Sequence, residues 1–284
     1  MKVAGTQRSQ ILASRIAYSL DTALLSIRYS RFPDSEHYLQ TGPLDDQTVI
    51  VGSVTDSDSF VQLLLLIDAC SDSENTLVLP YMGYARQDKQ FKEGEPVSAR
   101  AVAMALGRGV ERVLSVQIHD SGVLVHFGIP AENLTPASEV ARFLSTSGYS
   151  DPLILAPDEG AHAFAAAIAH EADWDHDFLV KTRISGEEVR MEPKNLPVSS
   201  RAVVIVDDII STGGTLVTAT RMLHAQGATE VHAICVHGIF TGGTYTALLN
   251  AGITDISASD TIESVYSRYS IAQSVAQAIE DADY

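Results

Sequence analysis

The chain is short of lysine, of cysteine and of long apolar runs, and each shortage closes off a class of function. Only five of its 284 residues are lysine (Lys2, Lys89, Lys92, Lys181 and Lys194), and 19 basic residues face 36 acidic ones, for a net charge of −17. That balance excludes a surface built to neutralise nucleic-acid phosphates. It leaves room for small phosphate ligands, which need only local cations. An acid-rich, lysine-poor surface suits a high-salt cytoplasm, where self-repulsion is screened, or an ordinary acidic enzyme, and both readings stay open. The two cysteines, Cys70 and Cys235, are too few for a disulfide framework and lack metal-ligand spacing, so they read as core thiols in a reducing cytosol. The longest apolar run, residues 60–70, contains Gln62 and Asp68 and falls short of a membrane span. The N-terminus has no apolar core of the signal-peptide kind. The expectation is a cytoplasmic protein with neither a membrane nor a nucleic acid as partner.

What the chain does have is an alternation of short β-branched runs with helical patterns. Strands are expected over 49–54, 76–79 and 112–118, with helices over 60–70, 97–107 and 137–147. The rhythm then restarts, with strands over 152–156, 202–206 and 230–236 and helices over 161–172 and 215–226. Strands that alternate with helices imply βαβ units and parallel sheets. Two runs of similar length imply two α/β domains, each a mainly parallel sheet flanked by helices, expected at 1–145 and 146–284.

The most informative stretch is Ala202-Val203-Val204-Ile205-Val206-Asp207-Asp208-Ile209-Ile210-Ser211-Thr212-Gly213-Gly214-Thr215. A buried strand runs into two adjacent carboxylates, a Thr-Gly-Gly-Thr turn and a helix. The glycines let the backbone approach a ligand closely. The N–H groups of the turn and the helix start form an anion site. Phosphate binding at one end and hydroxyl acceptors at the other suit a sugar phosphate. This loop resembles the phosphoribosyl diphosphate (PRPP) loop of type I phosphoribosyltransferases. By that resemblance Asp207 and Asp208 bond the ribose 2- and 3-hydroxyls, and Ser211, Thr212, Gly213, Gly214 and Thr215 hold the 5-phosphate of ribose 5-phosphate.

A second motif, Pro80-Tyr81-Met82-Gly83-Tyr84-Ala85-Arg86-Gln87-Asp88-Lys89, resembles the ribose-phosphate diphosphokinase (PRPP synthetase) family. Here the resemblance implies that both domains have the type I phosphoribosyltransferase-like fold, with ATP on the N-terminal side. It assigns Arg86 and Gln87 to the ATP site, and a guanidinium fork matches phosphate oxygens. Arg31-Phe32-Pro33-Asp34-Ser35-Glu36 is similar to the family segment in which the aromatic stacks on adenine and the acids accept from its amine, which assigns Phe32, Asp34 and Glu36 to the base. By the same matching, His119 and Asp158 belong beside magnesium, the implied cofactor. Lys181 and Arg183, opening a polar stretch expected to act as a lid, are the implied catalytic cations.

Three positions depart from the family pattern: Gln117 replaces an acid, Ala161 a glycine, and Ser211 an aspartate. The form at Ser211, with the chain's shortness and acidity, resembles the shorter archaeal-type members. The implied reaction moves the diphosphoryl group of Mg-ATP to the 1-hydroxyl of ribose 5-phosphate, in an assembly at least dimeric. Two alternatives stay open. A phosphoribosyltransferase that consumes PRPP would share the sugar loop but not the Tyr84–Lys89 motif. A catalytically silent homologue would have no need of Lys181, Arg183, Asp207 and Asp208.

Overall fold

The computed structural model describes residues 1–149, 151–183, 189–193 and 197–282, with the backbone alone described at 181–183 and 189–193. The chain forms two compact units. Unit 1 comprises Met1–Leu134, Asp260–Glu263 and Ser270–Tyr284, and unit 2 comprises Thr135–Ser259 and Ser264–Tyr269.

Unit 1 runs β1 (Lys2–Gly5), α1 (Gln10–Ser19), β2 (Ala23–Leu24), β3 (Ile27–Arg31), β4 (His37–Thr41), β5 (Gln47–Val51), α2 (Ser57–Ala69), β6 (Glu74–Leu79), α3 (Ser98–Leu106), β7 (Arg112–Val116) and β8 (Ala131–Leu134). Among the described residues its sheet has the order β2-β1-β5-β6-β7-β8, every pair parallel. Strands buried on both faces carry the near-continuous apolar runs that parallel sheets require; Ile50, Leu77, Leu79 and Val113 are fully buried and pack with Leu63, Leu66 and Leu106. The strands β3 and β4 form a separate antiparallel hairpin.

Unit 2 runs α4 (Ala137–Thr146), β9 (Leu153–Ala156), α5 (His162–His170), β10 (His176–Arg183), β11 (Val189–Pro193), β12 (Ala202–Ile210), α6 (Gly214–Ala225), β13 (Glu230–Gly238), α7 (Thr244–Ala251), β14 (Ile256–Ser259) and β15 (Ser267–Tyr269). Its sheet order is β11-β10-β9-β12-β13-β14-β15 among the described residues, parallel except for β10 with β11. The final helix, α8 (Ala272–Glu280), buries Ala272, Val275, Ala276 and Ile279 at helical spacing and packs on α1 in unit 1.

The expected α/β architecture is present, and the bounds of the compact units differ from the expected division at 145/146 in two ways. The helix α4 packs on α5 and β15 and so belongs to unit 2. The C-terminal helix returns to unit 1. Both outcomes depend on which distant surface an apolar face finds, and strand-helix rhythm carries no information on that. Of the stretch expected to act as a lid, 181–192, the described backbone is strand, and residues 184–188 lie outside the described residues. Lys181 pairs with Met191 and Arg183 with Val189 in an antiparallel ladder.

Candidate functional site

In an open parallel sheet, ligands bind beyond the carboxyl ends of the strands, where neighbouring connections leave in opposite directions. In unit 2 that point lies between β9 and β12, since β9 connects through α5 to β10 on one side and β12 through α6 to β13 on the other. Asp158 lies just past the end of β9, and Asp207 and Asp208 near the end of β12. The strand β12 runs to Ile210, four residues beyond its expected end, because it keeps pairing with the long β13: Asp207 lies opposite Cys235 and Ile210 opposite Gly238. The sheet therefore fixes the backbone of both carboxylates.

Asp207 is half-buried, and its Oδ1 accepts the Asp208 N–H at 2.9 Å. Burial first, then the Asp208 charge and a contribution from Asp158, hold its carboxyl well above the usual range. Asp158 is exposed, and its Oδ1 accepts the N–H groups of Gly160 at 2.9 Å and Ala161 at 3.3 Å. Ala161 thus still supplies a backbone donor where the family pattern has glycine, and that donor is turned toward Asp158.

The turn after β12 is shaped for close approach. Gly213 is the N-cap of α6, with φ of 69°, in the left-handed region that glycine favours. A Cβ there would come within 2.8 Å of the Thr244 Cγ2 methyl. No side chain caps α6. The unpaired amides of its first turn, with the positive end of the helix dipole, are the donors an anion needs. Thr212, Gly214 and Thr215 are exposed and Ser211 is half-buried. The Ser211 carbonyl accepts the Thr241 N–H at 3.1 Å and the Thr244 hydroxyl at 2.8 Å, which seats the turn against α7. The sequence reading did not single out Thr244. Its signal is a second Thr-Gly-Gly-Thr, residues 241–244, after the neighbouring strand.

Phe32, Asp34 and Glu36 occupy the turn of the β3–β4 hairpin in unit 1. The Phe32 N–H donates to the Glu36 carbonyl at 2.9 Å, the Ser35 N–H to the Phe32 carbonyl at 2.9 Å, and Arg31 Nη1 to the Ser35 carbonyl at 2.8 Å. Ser35 takes a φ of 77°. Phe32 is half exposed and meets Tyr38 edge to face, with ring centroids 5.7 Å apart. Asp34 and Glu36 are exposed.

Arg86 and Gln87 follow β6 in a loop pinned at both ends. Gly83 lies so close to the Val54 carbonyl that a Cβ would collide with it. The Tyr84 hydroxyl bonds Ser57 Oγ at 2.7 Å. Gln87 Oε1 accepts the Ser98 hydroxyl at 2.6 Å, so part of that side chain is already engaged at the start of α3. Arg86 is exposed and makes no ion pair among the described residues.

His119 lies exposed in the loop after β7, in unit 1, whereas Asp158 is in unit 2. Among the described residues no group of three or more His, Cys, Asp and Glu side chains is arranged to hold a metal ion. Lys181 and Arg183 lie on β10 past its pairing with β9, and their side chains fall outside the described residues.

Comparison with known proteins decides what this geometry belongs to. The model of the N-terminal domain of ribose phosphate pyrophosphokinase matches residues 1–108, and the phosphoribosyl transferase domain model matches residues 132–266. A ribose-phosphate pyrophosphokinase of Methanosarcina acetivorans is 46% identical over 284 residues, covering 99% of each chain. The chain belongs to the ribose-phosphate pyrophosphokinase family. A relative of that name from Halobacterium salinarum is 38% identical over 277 residues, covering 95% of this chain and 98% of its own. The fold is that of the phosphoribosylpyrophosphate synthetase of Mycobacterium smegmatis, whose crystal structure superposes with a TM-score of 0.84 at 24% identity, covering 99% of this chain and 98% of that one. Sequence reading of this ribose-phosphate pyrophosphokinase family member passed over the contacts behind these loops: the Thr244 hydroxyl on the Ser211 carbonyl, Ser57 on the Tyr84 hydroxyl, and Asp58, which pairs with Arg31 and His37 beside the hairpin turn.

Proposed function

We propose that this chain transfers the β,γ-diphosphoryl group of Mg-ATP to the 1-hydroxyl of ribose 5-phosphate, giving PRPP and AMP, with the residues assigned as follows. The observation that carries the reading is the presence in one chain of the uncapped glycine turn beside Asp207 and Asp208 and of the pinned Arg86–Gln87 loop. A phosphoribosyltransferase needs only the first. Full-length likeness to proteins named for this activity supports it.

Asp207 and Asp208 accept the ribose hydroxyls, while the amides and hydroxyls of residues 211–215 hold the 5-phosphate at the N-terminus of α6. Phe32 stacks on adenine, Asp34 and Glu36 accept from its amine, and Arg86 meets the phosphates, with Gln87 beside it. Lys181 and Arg183 face the charge that grows on the transferring group. The charges of Asp208 and Asp158 act against ionisation of Asp207, and a cation bound nearby would relieve that repulsion. Magnesium takes few protein ligands and many phosphate oxygens, and the family resemblance assigns His119 and Asp158, each within its own unit, as the residues that would lie beside it. Bound magnesium neutralises phosphate charge and orients the triphosphate. The chain's own work is positioning: both substrates are held in line and water is kept out.

The family resemblance implies an assembly at least dimeric, which light scattering checks. A cytoplasmic location fits the free, buried Cys70 and Cys235, and no helix among the described residues is long and apolar enough to cross a membrane. The deciding assay is AMP formation from ATP. The expected result is AMP that appears only with both ribose 5-phosphate and magnesium. AMP formation indifferent to ribose 5-phosphate, or none at all, overturns the reading.

A further inference from the structure

The β3–β4 hairpin stands apart from the six-stranded sheet, and an isolated two-stranded ribbon is marginal on its own. Ile27 and Leu39 seat its body against the apolar core of unit 1, and polar ties fix its direction beyond that. At its base the Tyr29 hydroxyl donates to the Gly5 carbonyl at 2.6 Å. Near its tip the tie is Asp58, in the first turn of α2. Asp58 Oδ2 meets Arg31 Nη2 at 2.5 Å, and Asp58 Oδ1 meets His37 Nε2 at 2.9 Å. Arg31 ends β3, His37 begins β4, and the two are paired across the hairpin. One carboxylate therefore grips both strands at the point where they enter the turn bearing Phe32, Asp34 and Glu36. Beside this grip an open cleft of about 700 Å³, lined by Asp34, Glu36, Val61 and Leu65 among others, separates the tip from α2. The tip is not packed down by apolar contact.

The neighbouring residue, Ser57, holds the other nucleotide segment through the Tyr84 hydroxyl. Tyr84 takes a φ of 67°, and its carbonyl accepts the Gln87 N–H at 3.2 Å. The turn itself is firm. Asp56 caps α2 in a reciprocal box with Ser59 and pairs with Arg8. Two successive residues of one capped turn thus anchor both loops assigned to ATP.

We propose that the first turn of α2 sets the adenine hairpin and the Arg86–Gln87 loop in register, with Asp58 and Ser57 as positioning residues for ATP. The inference rests on the function proposed above. Exposed ion pairs add little to stability. The purpose of this one is geometric: a carboxylate held by two donors from two strands fixes direction as well as distance.

The test is steady-state kinetics on the full chain. Asp58→Ala is expected to raise the KM for ATP at least roughly fivefold while the KM for ribose 5-phosphate stays within about twofold, because only the nucleotide loops lose their alignment. Asp58→Glu, which keeps the carboxylate, recovers part of the loss. Arg31→Ala and Asp58→Ala combined cost less than the sum of the two single changes, since they share the Arg31–Asp58 contact, while Arg31 also holds the Ser35 carbonyl and Asp58 also holds His37. Ser57→Ala gives a smaller rise of the same kind, and if Asp58→Ala fails to fold, Asp58→Asn and Ser57→Ala carry the measurement. An ATP KM indifferent to these changes, or a matching rise for both substrates, overturns the proposal. Wild-type protein that forms no AMP refutes the function itself. Failure of the positioning role alone leaves an active enzyme in which Phe32→Ala, but not Asp58→Ala, weakens ATP.

Discussion

The two units repeat one sheet plan, and they treat its ligand-binding point in opposite ways. In unit 1 the connections from β1 and β5 diverge just as those from β9 and β12 do in unit 2. There, however, the point is filled by the protein itself. Ser53 N–H donates to Ser9 Oγ at 3.2 Å, Ser53 Oγ donates to the Thr261 carbonyl at 2.5 Å, and Gln7 N–H donates to Gln62 Oε1 at 2.8 Å. The helix that follows, α2, has its first amides occupied by the Asp56–Ser59 box. In unit 2 the corresponding helix, α6, has a left-handed glycine and no cap, and a carboxylate pair stands beside it. A capped helix spends its N-terminal donors on its own side chains, and an uncapped one keeps them for a ligand. The contrast supports the proposed placing of the sugar phosphate on unit 2 and of an anchor in the capped turn of unit 1.

The strongest way to break this contrast is to cap α6. Gly213→Asp puts a carboxylate at the N-cap, strains a φ of 69° and crowds Thr244. Turnover is expected to fall below detection while ATP still binds, and substantial activity in the folded variant would end the anion-site reading. Next in size are the cations on β10. Lys181→Ala and Arg183→Ala should each lower kcat by about 10²–10³-fold with little change in KM, as expected for contacts made in the transition state. A loss confined to KM would make them ground-state ligands.

On the unit 1 side, Phe32→Ala should weaken ATP by roughly 1–3 kcal/mol, the range of a base stacked on an aromatic ring, and leave ribose 5-phosphate untouched. Calorimetry with each ligand reads both halves. The smallest effect is thermal. The Asp207 carboxyl has a raised pKa in the folded state, so its folded form holds a proton that the unfolded form releases. Stability from this group is greatest below the ordinary carboxylate range and falls as pH rises toward the raised value. Asp207→Asn should therefore raise Tm near neutral pH, by about 2–4 °C for each kcal/mol relieved, while activity is lost. The same proton must leave when ribose hydroxyls bond the carboxylate, so ribose 5-phosphate should bind more tightly as pH rises through that window. A Tm that falls on substitution would mean that the repulsion at Asp207 is already relieved in the free protein.

Legibility from sequence followed the distance over which each feature is encoded. The sugar loop is contiguous, so strand, acids, glycines and helix could be read in order, and only the end of β12 was misplaced, because its extension depends on the length of β13. The strand β11 has a local signal, the alternation Val189-Arg190-Met191-Glu192-Pro193, which a reading centred on charge passed over. The anchors were not legible. Arg31 and Asp58 are 27 residues apart, Ser57 and Tyr84 likewise, and nothing local marks either pair. The return of α8 to unit 1 is the longest-range case. Its amphipathic pattern is plain, but its partner α1 lies at the other end of the chain.

The measurement that bears most directly on the assignment of the two units is calorimetric titration of Asp208→Asn with ribose 5-phosphate, with ATP as the internal control. Asparagine keeps the shape and removes the charge that accepts the ribose hydroxyls. The account predicts ribose 5-phosphate affinity lower by at least roughly tenfold, the equivalent of about 1.4 kcal/mol, with ATP affinity unchanged. Unaltered ribose 5-phosphate affinity in a folded variant, or a loss of ATP affinity in its place, would contradict it.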